Sequence, residues 1–109
     1  MAEIISEQYI LCFRAALRIN HPRFDGEISD LIAAARADLR DLGGLKADKV
    51  ADEADPLIKR AITAYVKADF GLDNADAGKY RESYEALKKH LMMSDEYKDV
   101  ETEPETESG

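Results

Sequence analysis

The sequence is poor in most of the residues that carry chemistry. Cysteine occurs once, as Cys12, so no internal disulfide can form, and a reducing intracellular setting is the expected one. The 109 residues hold two histidines, no phosphate-cradling glycine loop, no paired cysteines and no Ser/His/Asp grouping with a local signature. No run approaches the roughly 18 apolar residues that a membrane span needs. The first residues lack a basic stretch followed by an apolar one, so neither a membrane anchor nor an export signal is expected. These gaps remove most enzyme, metalloprotein and membrane classes from the expectation.

What is present is acid and helical periodicity. The net charge is −8, and residues 95–109 alone carry −6 of it, with seven acids against Lys98. The body is close to balance, which argues against a basic nucleic-acid-binding face. A chain of this length has room for one domain and buries only about 60–65% of its unfolded surface, so association would add to its stability.

The best-marked segment runs from Asp55 to Gly71. Asp55 can cap the first free backbone N–H groups, Pro56 sits where its missing N–H costs nothing, and Gly71 can take the left-handed conformation that stops a helix. Ile58, Ala61, Ile62, Tyr65 and Phe70 form one apolar stripe between these marks, and Leu57, Ala61, Ala64 and Ala68 a second. This predicts a central helix touched on more than one side, with Ile58, Ile62 and Tyr65 in the core.

Three further helices are predicted around it. The first runs from Ser6, its cap, to about Ile19, with Ile10, Phe13 and Leu17 on one face and Tyr9, Cys12 and Ala16 beside them. Asn20-His21-Pro22 breaks the pattern, because a residue before proline is pushed from helical geometry. The second runs from Asp25 as cap to Leu42, on Ile28, Leu31, Ile32, Ala35, Leu39 and Leu42, and ends at Gly43-Gly44. Residues 45–54 read as a polar connector with room for one helical turn, and Leu72-Asp73-Asn74 as a turn. The last helix spans about Ala75 to Met93, with Tyr80, Tyr84, Leu87 and Leu91 facing inward. The fold class is therefore all-α: a small four-helix domain over residues 1–97, followed by a disordered acidic C-terminal tail over 98–109 that has too little apolar surface to offset ordering.

Each candidate for chemistry has a structural counterpart. Cys12 with His21 or His90 as base would make a nucleophile, but a buried apolar filler beside Phe13 is the favoured role. His90 has Ala86, Leu87, Met93 and Ser94 on its own face, none of which ligates zinc. Asp52 and Glu53 are expected to face water. Tyr65, Tyr80 and Tyr84 could form a stacking platform, yet at helical spacing they read as core aromatics with wet hydroxyls. Two pairs are less ordinary: Arg14 with Arg18, and Arg36 with Arg40, place like charges at i,i+4, each costing a few tenths of a kcal/mol in an isolated helix. An acid is expected opposite them, either within the chain, such as Glu27 or Asp30, or on another subunit or protein. Phosphate is a third candidate, weakened by the near-balanced body. The expected site list is accordingly Arg14, Arg18, Arg36 and Arg40 as interface residues, with no catalytic, cofactor-binding or metal-binding residue.

Pro56-Leu57-Ile58-Lys59-Arg60-Ala61-Ile62, Tyr65-Val66-Lys67-Ala68, Phe70-Gly71, Asp73-Asn74, Glu82-Ser83-Tyr84-Glu85, Leu87-Lys88, His90-Leu91 and Ser94 together resemble the phage head-tail connector family, also called DNA-packaging or adaptor proteins. Leu17-Arg18-Ile19 and Leu31-Ile32-Ala33-Ala34-Ala35-Arg36 resemble the first half of the same pattern, so the likeness covers about Tyr9 to Tyr97. It implies a non-enzymatic subunit of a homo-oligomeric ring beneath the portal, matching portal symmetry. Its partners would be the portal protein and a tail or head-completion protein, and DNA would pass through the channel without sequence-specific binding. It further implies synthesis in the bacterial host cytoplasm, a final place at the head-tail junction of the virion, and no cofactor. The acidic tail exceeds what the pattern requires. The competing class is a monomeric acidic regulator that binds a basic or host partner.

Overall fold

The computed structural model describes residues 4–71 and 75–99. Four long helices and one short one carry the fold: α1 Glu7–Leu17, α2 Asp25–Ala37, α3 Ala47–Val50, α4 Pro56–Asp69 and α5 Ala77–Met92. A 3₁₀ turn, Pro22–Phe24, leads into α2, and a π-helical turn, Asp38–Leu42, extends it. Among the described residues the only β-type pairing is an isolated antiparallel bridge between Leu45 and Lys98. The all-α expectation holds.

Helix α4 is the centre, with α1, α2 and α5 all packed against it. Ile58, Ala61, Ile62 and Val66 are fully buried, and they meet Ile28, Ile32 and Leu39 of the α2 limb, Phe13 of α1 and Leu91 of α5 in one core. Ile58, Ile62 and Val66 recur every four residues and so share a face. Tyr65, expected in the core, is half-buried, with its ring edge-on to Tyr84 at 5.1 Å. Leu57 is 36% exposed, leaving the small residues Ala61, Ala64 and Ala68 to form the second stripe.

The ends of α4 follow the sequence marks. Asp55 accepts hydrogen bonds from the backbone N–H groups of Leu57 and Ile58 at 2.9 and 3.0 Å, and Pro56 occupies the first helical position. At the other end Phe70 turns extended, Gly71 takes φ +82°, and the Phe70 ring meets Phe24 edge-on at 5.6 Å. The start of α2 and the end of α4 are thereby joined by an aromatic contact.

Several boundaries move for physical reasons. Helix α1 stops at Leu17, because Arg18 adopts φ 63° to aim the chain at the next turn. Asp25 does not cap α2: the 3₁₀ turn runs directly into the helix, and the Asp25 carboxylate turns to Arg14 instead. The sharpest change lies at Asp38–Leu42. A π turn takes more than four residues, so it rotates Leu42 off the face it would share with Leu39. Leu39 is fully buried and Leu42 is 74% exposed. Cys12 is exposed, not buried, because α1 turns Tyr9 and Phe13 inward and leaves Leu11 and Cys12 on the outer side.

The chain then returns to close the connector. Lys46 N–H donates to the Tyr97 carbonyl at 2.7 Å and Asp99 N–H to the Gly44 carbonyl at 2.9 Å. Lys98 and Asp99, assigned from sequence to the tail, are thus paired with the 44–46 segment. The turn at Leu72-Asp73-Asn74 and the tail from Val100 onward lie outside the described residues.

The glycine pair that ends the α2 limb has two separate requirements. Gly44 sits at φ +71°, whereas at Gly43 an added Cβ would meet the Leu39 carbonyl oxygen at 2.5 Å. Gly43→Ala should therefore destabilise the fold by about 1–3 kcal/mol through forced backbone displacement. Gly26→Ala, whose new methyl meets nothing within 4 Å inside a helix, should be neutral or stabilising by up to about 1 kcal/mol. Urea denaturation of the two variants beside the wild type checks both values.

Candidate assembly surface

The four arginines do not form one surface. Arg36, at the end of the α2 stripe, is fully buried. Its Nη1 donates to the Ile4 carbonyl at 3.1 Å, its Nη2 lies 3.7 Å from Glu53 Oε2, and its guanidinium carbon stands 5.5 Å from the centroid of the Tyr9 ring. Its acid is within the chain, and it is Glu53, not Glu27 or Asp30. As a buried structural cation, Arg36 has no face to offer a neighbouring subunit.

Glu53 accordingly does not simply face water. It accepts from the Ser6 N–H at 2.9 Å and the Ser6 hydroxyl at 2.5 Å, while Ser6 Oγ accepts from the Tyr9 N–H at 3.1 Å as the cap of α1. The connector before α4 thus holds the start of α1 and the end of α2 together. Partial burial pushes the Glu53 carboxyl up, but the two Ser6 hydrogen bonds and Arg36 outweigh it and hold the group below its ordinary value.

Arg14 is also matched internally. Its Nε and Nη2 donate to the two oxygens of Asp25 at 2.8 and 2.7 Å, a two-point fork that ties α1 to the start of α2. These bonds hold the Asp25 carboxyl below its usual range. Asp38, in the π turn, accepts from the Tyr84 hydroxyl and from Lys88 Nζ at 2.9 Å, which fastens α5 to the α2 limb. Tyr84 is thus a core aromatic, as expected, but its hydroxyl is bonded to Asp38 and not to water. Burial raises Asp38, and the bonds from Tyr84 and Lys88 reverse the shift and leave it lowered.

Arg18 and Arg40 remain at the surface. Arg18 is exposed at the left-handed end of α1, and Arg40, half-buried, holds Asp41 at 3.2 Å. Large apolar side chains share this exposure, with Leu11 at 49%, Leu42 at 74% and Met93 at 81%. His21 and His90 are exposed as well, and the described residues hold no group of three or more His, Cys, Asp or Glu placed to bind a metal. No helix among them is long and apolar enough to cross a membrane.

The fold and its polar contacts define a small helical packing module in which Arg14, Arg36, Asp38 and Glu53 clamp its elements together. A family model described as phage connector protein matches residues 13–98. The chain belongs to that phage connector family, a family of structural proteins. Neither the curated proteins nor the solved structures compared with the chain give a match.

Exchanging charge at the two members of one arginine pair should separate these roles. Arg36→Glu places an acid beside Glu53 in the core and should cost about 3–5 kcal/mol, whereas Arg40→Glu should cost no more than about 1 kcal/mol; thermal and urea unfolding distinguish them. The lowered carboxyls also set an acid limit. Because their folded-state values lie below the unfolded ones, their stabilisation is complete above about pH 4–5. It is lost as pH falls through the lowered values. The urea midpoint should decline with acidification over that range, and Glu53→Gln should flatten the decline; an unchanged slope in that variant would count against the Ser6–Glu53–Arg36 link.

Proposed function

We propose that the chain is a head-tail adaptor subunit of a tailed phage or prophage, assembling as a ring beneath the portal and joining the DNA-filled head to the tail while DNA passes through. The match to the phage connector family over residues 13–98 carries this reading. On this reading the chain sits at the head-tail junction of the virion, with the portal and a tail or head-completion protein as partners, and membership of the phage connector family supports it. A domain this small gains by burying more apolar surface between copies, and a head-to-tail contact that closes on itself yields a ring. The exposed Leu11, Leu42 and Met93 supply apolar area for such contacts, and Arg18 and Arg40 supply charge that can select an acidic neighbour. Contacts of this kind set register and partner choice, while the internal clamps set the subunit.

Sedimentation of the wild type and of the double variant Arg18→Glu, Arg40→Glu, each alone and mixed with its portal, tests the proposal. The wild type should form a large species, at least on the portal, and the double variant should assemble more weakly with unchanged helical circular dichroism. A wild type that stays monomeric in both samples, at low and moderate salt, would transfer support to a monomeric acidic regulator.

A further inference from the structure

Between α4 and α5 lies an open groove of about 630 Å³. Small side chains supply much of its lining, Thr63 and Ala64 from α4 and Ser83 and Ala86 from α5. Lys59, Arg60 and Lys67 stand along its α4 side, and no acid lines it, although the chain as a whole carries −8. Arg60 is exposed, and Lys67 Nζ lies 5.3 Å from the centroid of the Tyr80 ring. From Pro56 to Lys67 the groove runs about 17 Å along α4. Small side chains between two packed helices leave room for a third helix at close interaxial distance. The cations select a third helix that is acidic.

One element of this chain has that chemistry on its outer side. Helix α2 buries Ile28, Ile32, Ala35 and Arg36, and the residues it leaves exposed are Gly26, Glu27, Asp30 and Ala34. Glu27, Asp30 and Ala34 follow at intervals of three and four, so they form one line on the helix surface. That line holds two acids and no cation, and it is about 10 Å long, well within the length of the groove. Inside one subunit it points elsewhere. Helix α2 packs against α4 with its buried side, so the exposed line lies on the far side of α2 from α4. The two complementary faces can therefore meet only between two copies.

We propose that the exposed α2 line of one subunit seats in the α4–α5 groove of the next, with Glu27 and Asp30 against the cations of Lys59, Arg60 and Lys67. The two faces differ, so the contact is head-to-tail, and repeating it about one axis closes a ring. This inference rests on the ring reading above and names the faces that meet. One acidic and one basic face per subunit also give the ring a direction, because a neighbour presented the wrong way round would set like charges together.

Three full-length proteins test the contact. The first carries Lys59→Glu and Arg60→Glu in the groove, the second Glu27→Lys and Asp30→Lys on α2, and the third all four substitutions. Sedimentation of each beside the wild type, alone and with the portal protein, reads assembly, and circular dichroism reads helix content. The first two place like charges across every contact and should assemble about tenfold or more weakly than the wild type. The third should recover assembly, since every contact is again complementary with the signs exchanged. A second measurement leaves the charges intact and decides the matter if a reversed protein loses helix content. Chains with Cys12→Ser and either Ala34→Cys or Ala86→Cys, mixed, assembled and oxidised, should form a linked dimer that neither forms alone. Reversed proteins that assemble like the wild type would overturn the inference and leave the ring reading standing, with the groove open to a different acidic partner. So would a four-substitution protein no better than its parents, or assembled cysteine variants that do not link. A wild type that stays monomeric both alone and with the portal would overturn the ring reading and this contact together.

Discussion

The structure depends on what is done with one carboxylate. Asp55 is nine-tenths buried at the start of the central helix, and it survives there because three donors converge on it: the N–H groups of Leu57 and Ile58 and the hydroxyl of Tyr97. Burying a carboxylate without such partners would be strongly unfavourable. The same contact serves two ends of the chain at once, because it satisfies the free N–H groups of α4 and fixes the residue from which the C-terminal segment returns along 44–46. Burial and the neighbouring carboxylate push the Tyr97 hydroxyl up to about 12, so it stays protonated and able to donate through the neutral range.

The other polar contacts repeat the scheme at different joints. Glu53 gathers Ser6 and Arg36, Asp38 gathers Tyr84 and Lys88, and Arg14 forks onto Asp25. Each joins elements whose apolar faces already meet, so the hydrophobic core supplies the attraction and the charges choose the register. The charged side chains outside these joints, Arg18 and Arg60 among them, lie mostly on the outer surfaces.

Local chemistry made much of this legible in the sequence. The Asp55-Pro56 start of α4, the Ser6 cap of α1, the glycine pair after the α2 limb and the Ile58–Ile62 stripe all depend on residues within a turn or two of each other. What escaped depends on distance or on a change of helical pitch. Nothing near Arg36 in the sequence announces that its acid is Glu53, and a helix periodicity of 3.6 cannot foresee the π turn that turns Leu42 outward. Cys12 falls on the outer side because Tyr9 and Phe13 compete for the same inward position and bury more apolar area. Lys59 and Lys67 lie about two turns apart on α4, but the open groove they line forms only where α5 packs beside that helix.

Family membership and fold together describe a structural subunit of a phage connector, stabilised from within and left with a few arginines and apolar side chains for contact. Electron cryomicroscopy of particles from the phage or prophage that encodes the chain tests this account most directly, because it reads position and copy arrangement in a single experiment. The account predicts a closed ring of density between portal and tail into which the four-helix subunit fits with Arg18 and Arg40 at contacts and Arg36 enclosed. Intact particles whose head-tail junction holds no density for this chain would contradict it.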